Sequence, residues 1–234
     1  MSPSDHITQC PGLAGFNAYI RPLTTADVKS CVAVESTFPE QERCSEEKVQ
    51  HPSNRYKSPQ NQRLPLSASQ FKYRLTACPS LSVGLFIKTQ TGIDQQIGHV
   101  IGARTSSNTI TEASMGMPEN WESLPSDEAV VVDGQVVGND PMGENVAIHS
   151  VVTIPQFQGR GVGKALVRAY IGYIKETQRG SDFRSIVLIA HDYLVKFYEQ
   201  GGFENRGVSE CRFAGGVWFD LVCEFDNYAL WDEC

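Results

Sequence analysis

His149-Ser150-Val151-Val152-Thr153-Ile154-Pro155-Gln156-Phe157-Gln158-Gly159-Arg160-Gly161-Val162-Gly163-Lys164 runs an apolar strand into a glycine-rich turn and then into a helix. The run from Ile148 to Ile154 is rich in β-branched residues, which suits a buried strand, and Pro155 stops it because proline brings no N–H to a ladder. Gly159, Gly161 and Gly163 let the backbone approach a ligand without a Cβ in the way. Beyond them, Lys164 to Lys175 places Ala165, Leu166, Ala169 and Ile174 at helical spacing. A helix start leaves N–H groups without intrahelical partners and carries the positive end of the dipole, so the whole unit forms a cradle for a phosphate or pyrophosphate. The spacing Gln158-x-x-Gly161-x-Gly163 is neither Gly-x-Gly-x-x-Gly nor a P-loop ending in Gly-Lys-Ser/Thr, which moves the reading away from NAD and ATP.

The 234 residues suit one sizeable α/β domain with loop insertions and are enough to bury a core. A net charge of −7 with no run of Lys and Arg argues against nucleic acid as a partner. An acidic surface attracts small cations, protonated amines among them, and also simply keeps a protein soluble. The opening Met-Ser-Pro-Ser-Asp-His has no basic region followed by an apolar stretch, and no apolar run approaches the ~18 residues of a membrane span. The expectation is a soluble, cytoplasmic protein without a membrane partner. The seven cysteines are odd in number, scattered and never spaced Cys-x-x-Cys, against both a disulfide framework and a zinc site. No metal is expected. Cys31 and Cys223 lie in apolar patterns and are expected as reduced core residues, Cys234 as an exposed terminal thiol.

Along the chain, residues 1–16 read as a flexible arm, 17–226 as a single domain and 227–234 as a tail. Ala18 to Pro22 reads as a strand, and Thr24 or Thr25 caps a helix reaching Phe38 with Val28, Cys31, Val32 and Val34 on or near its apolar face. Glu40-Gln41-Glu42-Arg43 forms a charged turn, and a second helix begins near Ser45. A polar insertion near 51–66 interrupts it, and helix resumes over Ala68 to Thr76. Strands Ser82 to Thr89 and Ile97 to Arg104 pair across the Thr91–Asp94 turn. The polar insertion 106–144 is too long for an ordinary loop. It holds a small hairpin around Asp133-Gly134 and reads either as a partly ordered lid or as tolerated surface. After the glycine turn come strand Ser185 to Ala190, helix Tyr193 to Gln200, strand Phe203 to Arg206 and strand Val217 to Phe225. The order β-α-α-β-β-β-α-β-α-β-β predicts an α/β (α+β) fold: a mixed, mostly antiparallel twisted sheet with helices on both faces.

The glycine turn resembles the Gln/Arg-x-x-Gly-x-Gly/Ala signature of the GCN5-related N-acetyltransferases, and the element order from Ala18 to Phe225 is also theirs. Leu75-Thr76-Ala77-Cys78-Pro79-Ser80-Leu81-Ser82-Val83-Gly84-Leu85-Phe86 and Ala190-His191-Asp192-Tyr193-Leu194-Val195-Lys196-Phe197-Tyr198-Glu199, with His149 opening the cofactor strand, are similar to the serotonin, or arylalkylamine, N-acetyltransferase branch. Phe38-Pro39-Glu40-Gln41-Glu42-Arg43-Cys44-Ser45-Glu46-Glu47-Lys48 resembles the fungal members of that branch, linked to polyamines as well as arylalkylamines. The resemblance implies transfer of an acetyl group from acetyl-CoA to the primary amine of a small arylalkylamine or polyamine. The alternatives are a protein lysine or N-terminal acetyltransferase and a catalytically silent acyl-CoA-binding domain.

It also implies site residues. Backbone groups at Val151, Val152 and Thr153 hold pantetheine as an added strand, and Gln158, Gly159, Arg160, Gly161, Val162, Gly163 and Lys164 hold the pyrophosphate. Aminolysis of a thioester needs a neutral amine near the carbonyl, an acceptor for its proton and a proton for the departing sulfur. His149 matches one histidine of a family pair and is the natural proton acceptor, since an imidazole of pKa about 6.5 exchanges protons at neutral pH. The other position of the pair is Ala147, and Glu42 is the reserve base. Tyr198 matches the family tyrosine that protonates the leaving thiolate. Phe38, Pro39, Glu40, Ile189 and Trp218 correspond to positions around the acceptor amine. Asp192 reads as a turn residue and His191 as a solvated one.

Overall fold

The computed structural model describes residues 1–37, 67–125, 127–177, 183–213 and 216–225. The sequence places the charged turn after Phe38, the helix near Ser45, the 51–66 insertion and the 227–234 tail outside these residues, and Cys44 and Cys234 lie outside them too.

Among the described residues nine strands form: β1 (Asn17–Pro22), β2 (Val83–Lys88), β3 (Asp94–Thr105), β4 (Val131–Val132), β5 (Gln135–Val136), β6 (Asn145–Thr153), β7 (Ser185–Ala190), β8 (Glu204–Val208) and β9 (Phe219–Glu224). Seven of them make one sheet in the order β1-β2-β3-β6-β7-β9-β8. Every neighbouring pair is antiparallel except β6 and β7, which are parallel. The mixed, mostly antiparallel sheet is the one the sequence predicts.

Helices cover both faces. α1 (Pro3–Thr8), α5 (Val162–Thr177) and α6 (Asp192–Glu199) share one apolar cluster with Leu85, Val152, Ile186 and Leu221 of the sheet. α2 (Val28–Glu35) and α3 (Ala68–Ala77) pack on the other face through Cys31, Phe71 and Leu75, joined there by α4 (Glu112–Met115). α5 is the main buttress. Val162, Leu166, Ala169, Tyr170 and Ile174 recur on its buried side, and each large aliphatic group removed from water contributes roughly 1.5–3 kcal/mol. α3 starts where the sequence says, because Ser67 and Gln70 satisfy each other's backbone N–H groups in a capping box. Asp133 and Gly134 take φ of 50° and 79°, the two left-handed residues that a tight hairpin between β4 and β5 requires.

Residues 1–16 are not a flexible arm. A capping box between Ser2 and Asp5 starts α1, Ile7 is 0% and Leu13 3% exposed, and the rings of Phe16 and Phe157 meet edge-on at 5.3 Å. A Cβ on Gly12 would overlap the carbonyl oxygen of Arg160, so this segment lies directly against the glycine turn. Six helical residues are too few to show a period, and the burial comes from α5, about 160 residues away in the chain. Ile7→Ala is therefore expected to lower unfolding free energy by about 2–5 kcal/mol in a denaturant titration, whereas a residue on a loose arm would change it by less than about 0.5 kcal/mol.

The 106–144 insertion is likewise built into the fold. Ile110 and Met115 pack with Ala147, Val187 and Val222 of the sheet. Its described residues from 119 to 136 are largely exposed.

Candidate active site

β6 and β7 pair only over Asn145–Ala147 and Ser185–Val187. β6 nevertheless continues to Thr153 along β3, and β7 to Ala190 along β9. The two strands thus part after Ala147, and the edge of β6 from Ile148 onward offers peptide groups to a strand-like ligand. The glycine turn follows the same strand. Gly159 and Gly161 adopt φ of 69° and 80°, values that an L side chain strains to reach. The N–H of Ala165 bonds the carbonyl of Gly161 at 3.0 Å, which leaves the first-turn N–H groups before it facing out of the helix start. The side chains of Val152 and Val162 are buried in the core, so these two residues can offer a ligand only their backbone. The Gln158 amide donates to the carbonyl of Thr153 at 2.8 Å, so its side chain ties the turn to the strand end. Thr153 Oγ1 is buried without a hydrogen-bond partner among the described residues, beside the start of α5 and 3.6 Å from where a Cβ on Gly163 would sit. Arg160 is exposed, and Lys164 lies with its Nζ 3.5 Å from Gln200 Oε1, so two cations border the cradle.

His149 occupies a β-bulge. Ile101 faces Ser150 and Gly102 faces Ile148, leaving His149 as the extra residue on β6. Arg74, 1% exposed on α3, donates to its Nδ1 at 3.0 Å and to the carbonyl of Met115 at 2.9 Å. A guanidinium only donates, so Nδ1 must accept and the neutral ring carries its proton on Nε2. Nε2 is buried with no partner among the described residues. Burial, and then the Arg74 charge, hold the imidazole well below its ordinary pKa of 6.5. The neutral ring in this geometry has its Nε2–H free to donate, whereas the sequence reading has His149 accept a proton.

A pH dependence follows. The unfolded chain protonates His149 near pH 6.5 and the folded protein does not, so folding stability is full above that pH and falls below it. The contribution approaches about 1.4 kcal/mol per pH unit, and His149→Asn is expected to flatten that part of a stability curve measured from pH 7 to 5.

The next residue is held by a network with no sequence signature. Ser150 Oγ donates to Glu35 Oε2 at 2.8 Å, and His99 Nε2 meets the same oxygen at 3.1 Å. Gln96 reaches His99 Nδ1 at 3.4 Å. Together they tie α2 to β3 and β6 just beyond the bulge.

Tyr198 lies on α6, buried, its ring edge-on to Phe197 at 4.9 Å and Phe203 at 5.6 Å. Burial pushes its phenol well above the ordinary value, so it stays protonated at neutral pH. The ring of Phe197 comes within 3.5 Å of a Cβ position on Gly163, which places α6 against the start of α5. Of the acceptor positions, Ile189 lies on the face of β7 that carries Val187, and Trp218 stacks on His191 at 4.1 Å. His191 is thus a stacked ring where the sequence suggested a solvated one, and Asp192 is the first residue of α6, its carboxylate accepting from the N–H of Tyr193. Phe38, Pro39, Glu40 and Glu42 lie outside the described residues.

A family model described as an acetyltransferase (GNAT) domain matches residues 112–225, the stretch holding the parted strands, the glycine turn and Tyr198. Over that stretch the chain is similar to GNAT acetyltransferases. It is 22% identical over 166 residues to the serotonin N-acetyltransferase of Mesocricetus auratus. That match spans 71% of this chain and 66% of the hamster enzyme, just under two thirds of its length. The GNAT fold is shared with the loading GNATL domain of CurA from Lyngbya majuscula (TM-score 0.57, 12% identity, 89% of this chain and 98% of that one). It is shared too with the GNAT-like decarboxylase GphF in complex with isobutyryl-CoA (TM-score 0.54, 14% identity, 88% and 98%).

Proposed function

We propose that this GNAT domain transfers the acetyl group of acetyl-CoA directly to the primary amine of a small arylalkylamine. The observation that carries the reading is the parting of β6 from β7 with a glycine cradle at the end of β6. Pantetheine lies along the free edge of β6 near Val151 and Thr153, and the pyrophosphate sits on the first turn of α5 with Arg160 and Lys164 beside it. The bound isobutyryl-CoA of GphF, on the same fold, supports an acyl-CoA as the cosubstrate. The neutral amine attacks the thioester carbon, the C–S bond breaks, Tyr198 supplies the proton that the sulfur takes up, and the proton shed by the new amide nitrogen restores the phenol through solvent. The likeness to serotonin N-acetyltransferase supports an aromatic acceptor.

The test is thiol release from acetyl-CoA with serotonin, tryptamine, phenylethylamine, spermidine, putrescine and a lysine peptide supplied separately, against a control without acceptor. Release with the aromatic amines is the expected result. Release confined to spermidine and putrescine would move the acceptor to polyamines, and release confined to the peptide to proteins. Acetyl-CoA binding without release by any acceptor would favour a silent acyl-CoA-binding domain.

A further inference from the structure

Two cross-strand pairs, and a ring pair just past the strand ends, line the face of the sheet on which Ala147 and Met115 pack. Val187 faces Val222 at the bottom, within their apolar cluster. Ile189 faces Asp220 above it. His191 and Trp218, one step further, stack at 4.1 Å with an interplanar angle of 23°. Tyr193, 58% exposed, extends the stack on the other side of His191 at 5.5 Å. Met115 links the stripe to the bulge, since its Sδ lies 3.2 Å from His149 Nδ1.

Asp220 does not belong in such a stripe on packing grounds. Its Oδ1 is buried with no hydrogen-bond partner among the described residues, and burial pushes its carboxyl above the usual range, Ser209 offsetting this in part. A carboxylate oxygen taken out of water without a partner costs stability unless a ligand supplies the missing donor or charge.

We infer that Asp220 receives the ammonium group of the acceptor amine, while the stacked His191 and Trp218 rings and the neighbouring Ile189 hold its arylalkyl body. This rests on the acetyltransfer reading above. An ammonium brings both the donors and the charge that Oδ1 lacks, and ring faces beside it attract the same cation. The carboxylate can then take one of its protons: an N–H bond breaks, an O–H bond forms, and a neutral amine is left to attack. That supplies the acceptor for a proton which His149, with Nδ1 already engaged by Arg74, does not take.

The test compares Asp220→Asn with the parent protein. Four quantities are read: kcat/KM for tryptamine, inhibition by tryptophol, in which a hydroxyl replaces the ammonium, acetyl-CoA affinity, and Tm. The parent is expected to bind tryptamine at least ~30-fold better than tryptophol. In Asp220→Asn that preference should vanish, kcat/KM for tryptamine should fall about 100-fold or more, acetyl-CoA affinity should stay within about threefold, and Tm should hold or rise. A variant that keeps kcat/KM within about threefold overturns the inference while leaving the acetyltransfer reading in place. So does one that loses Tm and acetyl-CoA affinity together, since a structural carboxylate would behave that way. A parent that turns over no arylalkylamine overturns the acceptor reading and this inference with it.

Discussion

Gly161→Glu is expected to weaken acetyl-CoA binding by about 100-fold or more in a calorimetric titration. Two effects add. Gly161 sits at φ 80°, where a side chain costs on the order of 1–3 kcal/mol of backbone strain, which relaxes most easily by reshaping the turn. A Cβ there meets no atom of the described residues within 4 Å, so the space it enters is open, and the proposed pyrophosphate would lie there. A carboxylate in that space repels a pyrophosphate where the helix start would otherwise attract it. Gly161→Ala separates the terms, since it keeps the strain and omits the charge, and its expected loss is about 5–10-fold. Affinity that survives the glutamate would place the pyrophosphate elsewhere.

Tyr198→Phe is expected to lower kcat by about 10²–10³ with acetyl-CoA affinity unchanged. The ring and its edge-on contacts with Phe197 and Phe203 remain, so only the hydroxyl is lost. Burial makes this phenol a weaker acid than a solvated tyrosine, while the thiolate it serves has a conjugate acid of pKa about 8.5. The proton therefore moves only as the C–S bond breaks, and the step depends on position more than on acidity. A stopped-flow or steady-state thiol assay at saturating acetyl-CoA reads the effect, and an unchanged kcat removes Tyr198 from the mechanism.

The elements that could be read from the sequence are those whose cause is local. The strand into Pro155, the positive-φ glycines and the apolar spacing of α5 each lie within about 20 consecutive residues, and the structure puts them where that pattern says. The hairpin at Asp133-Gly134 was readable for the same reason: its turn demands those residue types at those two positions. The arm at residues 1–16 was misread because Ile7 and Leu13 are isolated apolar residues whose burial depends on a distant helix.

The chemistry divides the same way. The sequence by itself determined that a glycine-rich turn follows a buried strand and that the sheet is mixed with helices on both faces. Only the tertiary structure decided the state of the candidate side chains. Arg74 fixes the tautomer of His149 from 75 residues away, and Glu35, His99 and Ser150 meet from three separate elements. Asp220 is left with an unused oxygen because β9 returns beside β7. Backbone conformation follows from neighbouring residues, whereas proton position and desolvation follow from whichever charges and apolar groups the fold brings within a few ångströms.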